Sequence, residues 1–274
     1  MGVLLGLASA ISWGFADFFG GFASRRMSAA GVAFVSQVVG TVLVGLVILV
    51  IRPTLPPWGD LGLGMVAGLA GGLGVYAFYR ALAVGTMSLV APISALSAGV
   101  PFAVGLIRGE EPSVVALLGA LIALAGAVLA SRAPGRASRR GLGLSVVAAL
   151  GFGVFFVFIE PAAETSVLWA ALSTRVTSIP TLFVVCLGAG LASLRVGTGL
   201  WRFVIGAGVL DVAANVAFAA ATQRGLLSIV AVLSGLYPVA TVVLAQLVLH
   251  ERLSRPQAAG VFAALAGVGL IALG

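Results

Sequence analysis

The sequence predicts an all-α polytopic membrane protein, with ten transmembrane helices arranged as two inverted five-helix repeats. Three observations carry that expectation. Of 274 residues, 61% are hydrophobic and 8% charged, with a mean hydropathy of +1.21; a soluble domain carries roughly 25% charged residues. Arg, Pro and acidic residues punctuate the chain into apolar stretches near the roughly 20 residues that span a bilayer. The two halves also resemble one another at an offset of about 140 residues.

The apolar segments run roughly over 2–23, 28–51, 59–79, 86–107, 113–131, 141–159, 166–192, 200–222, 226–248 and 256–274. They lack the period-two alternation of an outer-membrane barrel, so helices are the remaining way to span. The first segment has no basic n-region and stays apolar too long for a signal peptide, and is expected to be an uncleaved span. Connectors such as Ser24-Arg25-Arg26-Met27 and Arg108-Gly109-Glu110-Glu111-Pro112 are short, which makes neighbouring helices antiparallel. The Arg132–Arg140 linker, the most polar stretch, separates a first repeat (1–131) from a second (141–274).

The repeat rests on particular residues. Gly85, Ser88, Val90, Ala91, Ser94, Leu96 and Glu111 align with Gly225, Ser228, Val230, Ala231, Ser234, Leu236 and Glu251. One further residue of offset aligns Gly119, Ala123, Leu124, Ala125, Gly126 and Leu129 with Gly260, Ala264, Leu265, Ala266, Gly267 and Leu270. Five helices is an odd number, so the second copy enters the membrane from the opposite side. Inverted repeats meeting at the midplane are the physical basis of alternating access to one central site.

Several function classes drop out. The net charge of +7 comes from 15 basic residues, all Arg, spread singly or in pairs. That is headgroup anchoring rather than the clustered basic face of a nucleic-acid binder. One Cys, Cys186, and one His, His250, provide no disulfide, thiolate metal site or Cys-His nucleophile. No Walker A loop or hydrolase motif is present, so neither cofactor nor metal is expected and the chain is not expected to be an enzyme.

Leu233-Ser234-Gly235-Leu236-Tyr237-Pro238-Val239, followed by His250-Glu251-Arg252-Leu253-Ser254 and a Gly/Ala-rich last helix, resembles the second repeat of EamA-type transporters of the drug/metabolite transporter superfamily. Pro92-Ile93-Ser94-Ala95-Leu96 with Gly109-Glu110-Glu111-Pro112-Ser113, and the opening Ser12-Trp13-Gly14-Phe15-Ala16-Asp17-Phe18, resemble its first. Pro101 departs from the repeat, because the counterpart of Pro238 is Ala98. The resemblance implies export of amino acids or related metabolites and cytoplasmic termini. Positive-inside counting instead favours both termini outside.

Intramembrane ionisable residues are functional candidates by default. Asp17 is a candidate for a proton or cationic substrate, with Trp13 one turn away. Asp211 and Asn215, also one turn apart, share a helix face; the alternative is a helix-to-helix hydrogen bond. Tyr76 and Arg80 are candidates to hold an anionic group and stack a ring, against an interfacial belt that is the favoured reading for Tyr79. Ser94, Ser234 and Tyr237 sit beside the hinge candidates Pro92, Pro101 and Pro238, where proline frees a backbone carbonyl. Phe15, Phe152, Phe155 and Phe156 are either cavity walls or packing. Arg175 is expected to snorkel to headgroups or pair with Glu164. Glu110, Glu111 and Glu251 read as end caps or gate contacts, and Gly64 to Gly74 as a close-packing stripe.

The expected partners are a small-molecule substrate, the lipid bilayer and a candidate coupling proton, with no nucleic acid. The expected location is the plasma membrane of a bacterium. An organic-cation transporter is the alternative within transport. An intramembrane enzyme acting on a lipid-linked substrate is disfavoured, because chemistry needs no two-sided access.

Overall fold

The computed structural model describes residues 1–85, 90, 93–130, 141–237, 239–240 and 254–273, and all regular structure among them is helical. Helix α1 covers Gly2–Ser24, α2 Ala29–Ile51 and α3 Trp58–Val84. A 3-10 stretch, Leu96–Ala98, leads into α4, Gly99–Ile107, and α5 is Val114–Ala130. The second half supplies α6 (Leu142–Ala162), α7 (Val167–Gly188), α8 (Trp201–Thr222), α9 (Leu227–Ser234) and α10 (Arg255–Leu273). Among the described residues, α1, α2, α3, α6, α7 and α8 are each long and apolar enough to cross a membrane; the stretch Ile93–Ile107, which includes α4, and the helices α5 and α10 are shorter and apolar. The Arg-rich linker, Pro92, Pro238, His250 and Glu251 lie outside the described residues.

The bundle exposes large apolar side chains and buries a set of polar ones among its apolar core. Leu46, Leu49, Val50, Ile107, Phe262 and Leu265 are exposed, while Ser36, Gln37, Ser173, Thr174, Arg175, Ser178 and Asn215 are buried. This is the distribution a helical bundle takes in lipid, where polar groups must be satisfied by neighbouring helices. Ser36, Ser173 and Thr174 donate to carbonyls of their own helices at 2.8–3.0 Å, which lets them be buried at little cost.

The packing pattern carries the internal repeat. Helix α3 packs along α6 and α7 of the other half, and α8 packs along α1 and α2. Exchanging the halves converts each pairing into the other. The pairs α2 with α7, α4 with α9 and α5 with α10 are their own counterparts, and each is in contact. Glycines set these approaches. A methyl group at Gly68 would meet the carbonyl of Thr174 on α7, and one at its repeat equivalent Gly208 would meet the carbonyl of Ser36 on α2. Gly119 and Gly126 let α5 lie against the backbone of α10 in the same way.

Gly68→Ala is therefore expected to lower stability by about 1–3 kcal/mol, the range for overpacking a close contact. Gly62 on the same helix has open space around its would-be side chain. Gly62→Ala should raise stability by about 0.5–1 kcal/mol through helix propensity. Thermal melting of the detergent-solubilised protein checks both, and equal melting points for the two variants would contradict the contact.

One end of the bundle is tied across the halves. Both carboxylate oxygens of Glu110, in the α4–α5 turn, accept from the first backbone N–H groups of α9: Leu227 at 2.7 Å and Ser228 at 2.9 Å. These donors have no partner inside the helix, and the anion complements the helix dipole. Gly105 leaves room for that carboxylate. Nearby, Arg108 pairs with Glu160 at the end of α6 at 2.8 Å. The end-cap expectation for Glu110 matches this geometry.

The structure corrects several element boundaries. Helix α3 does not end at residue 79 but continues to Val84, because Ala81 and Leu82 are apolar and buried while Arg80, near the helix end, is exposed. Helix α7 stops at Gly188, and Gly190 takes a positive φ of 87° before a short 3-10 turn, Leu191–Leu194. Pro101 lies inside the continuous helical stretch Ile93–Ile107, just after its 3-10 turn Leu96–Ala98.

Candidate functional site

The first three helices of each half enclose one partly open cavity, with about 620 Å³ of atom-free space including its mouth. Helix α1 contributes Trp13 and Asp17, and α2 contributes Gln37. From α3 come Gly68, Gly71, Gly72, Val75, Phe78 and Tyr79. These six recur at three- and four-residue spacing, which makes them one stripe of a helix surface. The second half adds Phe152, Phe155 and Phe156 on α6, Thr174, Arg175 and Ser178 on α7, and Asp211 and Asn215 on α8. Tyr237, just past α9, also faces the cavity.

The polar wall is organised on one atom. Asp211 Oδ2 accepts from Arg175 Nη2 at 3.1 Å, Gln37 Nε2 at 3.2 Å and Asn215 Nδ2 at 3.2 Å. Ser178 Oγ donates in turn to Gln37 Oε1 at 3.4 Å. The side chains of Arg175 and Asp211 are 4% and 14% exposed, so the ion pair is largely withdrawn from water. Such a pair persists only when further hydrogen bonds hold it, which Gln37 and Asn215 do.

Asp17 differs. It lines the cavity, and among the described residues it has no hydrogen bond or ion pair. It lies within electrostatic reach of Asp211, Tyr79 and Tyr237. Two carboxylates and one guanidinium thus face the same space.

The apolar wall is aromatic. The Trp13 ring lies 5.3 Å from that of Phe156, 6.5 Å from Phe155 and 5.9 Å from Phe218 behind them. Phe78 meets Phe152 at 5.9 Å and Tyr237 at 6.4 Å, both edge-on. These rings hold one another in tilted and T-shaped arrangements, the edge-to-face ones being a geometry that aromatic pairs favour.

Of the residues the sequence singles out, Trp13, Asp17, Asp211, Asn215 and Tyr237 come together here. Tyr76 and Arg80 do not. Both fall off the cavity stripe of α3, Tyr76 half-buried against neighbouring helices and Arg80 exposed. Ser94 and Ser234 are fully buried away from the cavity, and Ser234 Oγ donates to the Gly6 carbonyl at 3.3 Å. Phe15 packs edge-on against Phe19 rather than walling the cavity. Tyr79 is no belt residue, since it is buried and faces the cavity. Arg175 neither snorkels nor pairs with Glu164; it turns inward to Asp211. Gln37, Thr174 and Ser178 are lining residues that the sequence reading missed.

The profile of the EamA-like transporter family matches residues 1–132 and again 139–273. The chain belongs to the EamA-like transporter family. Both halves carry the family pattern, in keeping with the exchangeable packing of α1–α5 and α6–α10. A solved structure titled "Crystal structure of protein" has the same fold, with a TM-score of 0.80 over 99% of this chain and 96% of that one at 18% identity. A search of curated proteins finds no match. As an EamA-family transporter of the drug/metabolite superfamily, the chain is an integral multi-pass membrane protein, and its substrate is of the small-molecule class.

Proposed function

We propose that this EamA-family protein is a secondary transporter that carries a small organic metabolite bearing an amino group, an amino acid or a related amine, outward across a bacterial plasma membrane by alternating access. The membrane is crossed ten times, and the Arg132–Arg140 linker joins the two five-helix repeats. The cavity between α1–α3 and α6–α8 is the substrate site. One observation supports this reading above the others: a cavity lined by carboxylates and aromatic rings lies between the two halves, the place where alternating access requires its site. Asp17, Asp211 and Asn215 then belong to the pathway, and no cofactor is required. Outward direction is what the family resemblance implies.

Purified protein in proteoliposomes containing an internal pH dye tests the proposal. Separate panels of neutral amino acids and organic amines are added, and exchange of labelled solute is followed in parallel. Solute-dependent proton movement or exchange is expected for members of one panel. Absence of both for every solute, with protein correctly inserted, would overturn transport of this class.

A further inference from the structure

The cavity holds two carboxyl groups and one guanidinium, and that inequality selects among amino compounds. Resting on the transporter reading above, we propose that the ligand is an organic ammonium ion without a carboxylate, a monovalent amine whose ammonium sits at Asp17 and whose apolar body lies against Trp13, Phe155 and Phe156.

The two acids are in different conditions. Asp211 is already satisfied: three donors converge on its Oδ2, one of them the Arg175 guanidinium at 3.1 Å. Asp17 has no partner among the described residues, although it faces the same space. An ionised carboxylate at that depth is costly unless a counter-ion joins it. Trp13 stands one helical turn away on the same face, and the ring face of a Trp attracts a cation. The α6 phenylalanines continue that surface.

A zwitterion fits less well. Its carboxylate would need a cation, and Arg175 is the cavity's cation among the described residues. That guanidinium is 4% exposed and engaged with Asp211, and its Nε is sealed from solvent without a partner. A ligand carboxylate would therefore have to displace Asp211 or lie beside its charge. With Asp17 ionised, two carboxylates and one guanidinium leave one negative charge in excess, which a bound monocation neutralises and a zwitterion does not.

Matched pairs differing by one carboxylate test this. The full chain in lipid nanodiscs is titrated calorimetrically with phenethylamine against phenylalanine, and with isoamylamine against leucine. Each amine is expected to bind at least about tenfold tighter than its amino acid, a difference of 1.4 kcal/mol. In Asp17→Asn, checked for monodisperse elution, the preference should vanish. The wild-type comparison needs no variant, so a misfolded Asp17→Asn leaves it intact. Amino acids binding equally or tighter, no binding by any of the four probes, or an unchanged preference in folded Asp17→Asn would each overturn the ammonium assignment. The liposome assay separates the two proposals: amino-acid flux keeps transport and discards the ammonium ion, whereas amine binding without flux of any solute keeps the site and discards transport.

Discussion

Arg175→Met is expected to destabilise the protein by about 3–5 kcal/mol, the range measured when one partner of a buried ion pair is removed. The loss follows from what stays behind. Asp211, 14% exposed, would keep the amides of Gln37 and Asn215 but lose its counter-charge. A second substitution should recover most of the loss. In Arg175→Met/Asp211→Asn the charge is gone, yet the new side-chain carbonyl still accepts from Gln37 and Asn215. Thermal melting of the two variants against wild type reads the difference. A single variant as stable as wild type would mean that the pair contributes nothing, and a double variant worse than the single would mean that the destabilisation comes from lost packing.

Asp17→Asn should behave in the opposite way. Its carboxylate has no protein partner among the described residues to lose, so the melting temperature should hold or rise, since an uncompensated charge leaves an apolar setting. Flux should fall. Truncating a buried charge contact to a ligand costs about 2–5 kcal/mol, so half-saturation for a solute held there should rise by at least about 30-fold. Labelled-solute exchange in proteoliposomes measures it. Unchanged exchange would remove Asp17 from the pathway, while lowered stability with normal exchange per folded molecule would make it structural. Together the two variants assign one charged residue to holding the bundle and the other to its cargo.

The bundle was legible in the sequence because lipid imposes one strong rule, that spans be apolar and helical, and six of the described helices obey it at full length. Trp13, Asp17, Asp211 and Asn215 were legible for the complementary reason: polar or amphipathic groups inside such spans stand out. Gln37 carried the same signal and could have been found by it. Arg175 could not be paired from sequence. Its partner is 36 residues away on a different helix, while local spacing offers only Glu164 or the headgroups. Tyr79 was misjudged through a boundary, since placing the end of α3 at residue 79 turns a buried residue into an interfacial one. The stripe from Gly68 to Tyr79 would have excluded Tyr76 and Arg80, but in a glycine-rich helix small residues hide which face is inward. Gly68 and Gly208 were invisible as a pair until both were seen to admit a neighbouring backbone.

The Glu110 cap bears on how evenly the molecule can divide its time between two arrangements. Hydrogen bonds to a charged acceptor are worth about 1.5–3 kcal/mol each, so parting the α4–α5 turn from α9 without replacement would tilt the populations roughly a hundredfold or more. A carrier so tilted would dwell at one end of its cycle, and turnover would be throttled by the rarer state. The second half carries Glu251 at the sequence position equivalent to Glu111, next to Glu110. Under the alternating-access proposal, duplication with inversion then levels the two resting states, so that what is released at one mouth can be regained at the other.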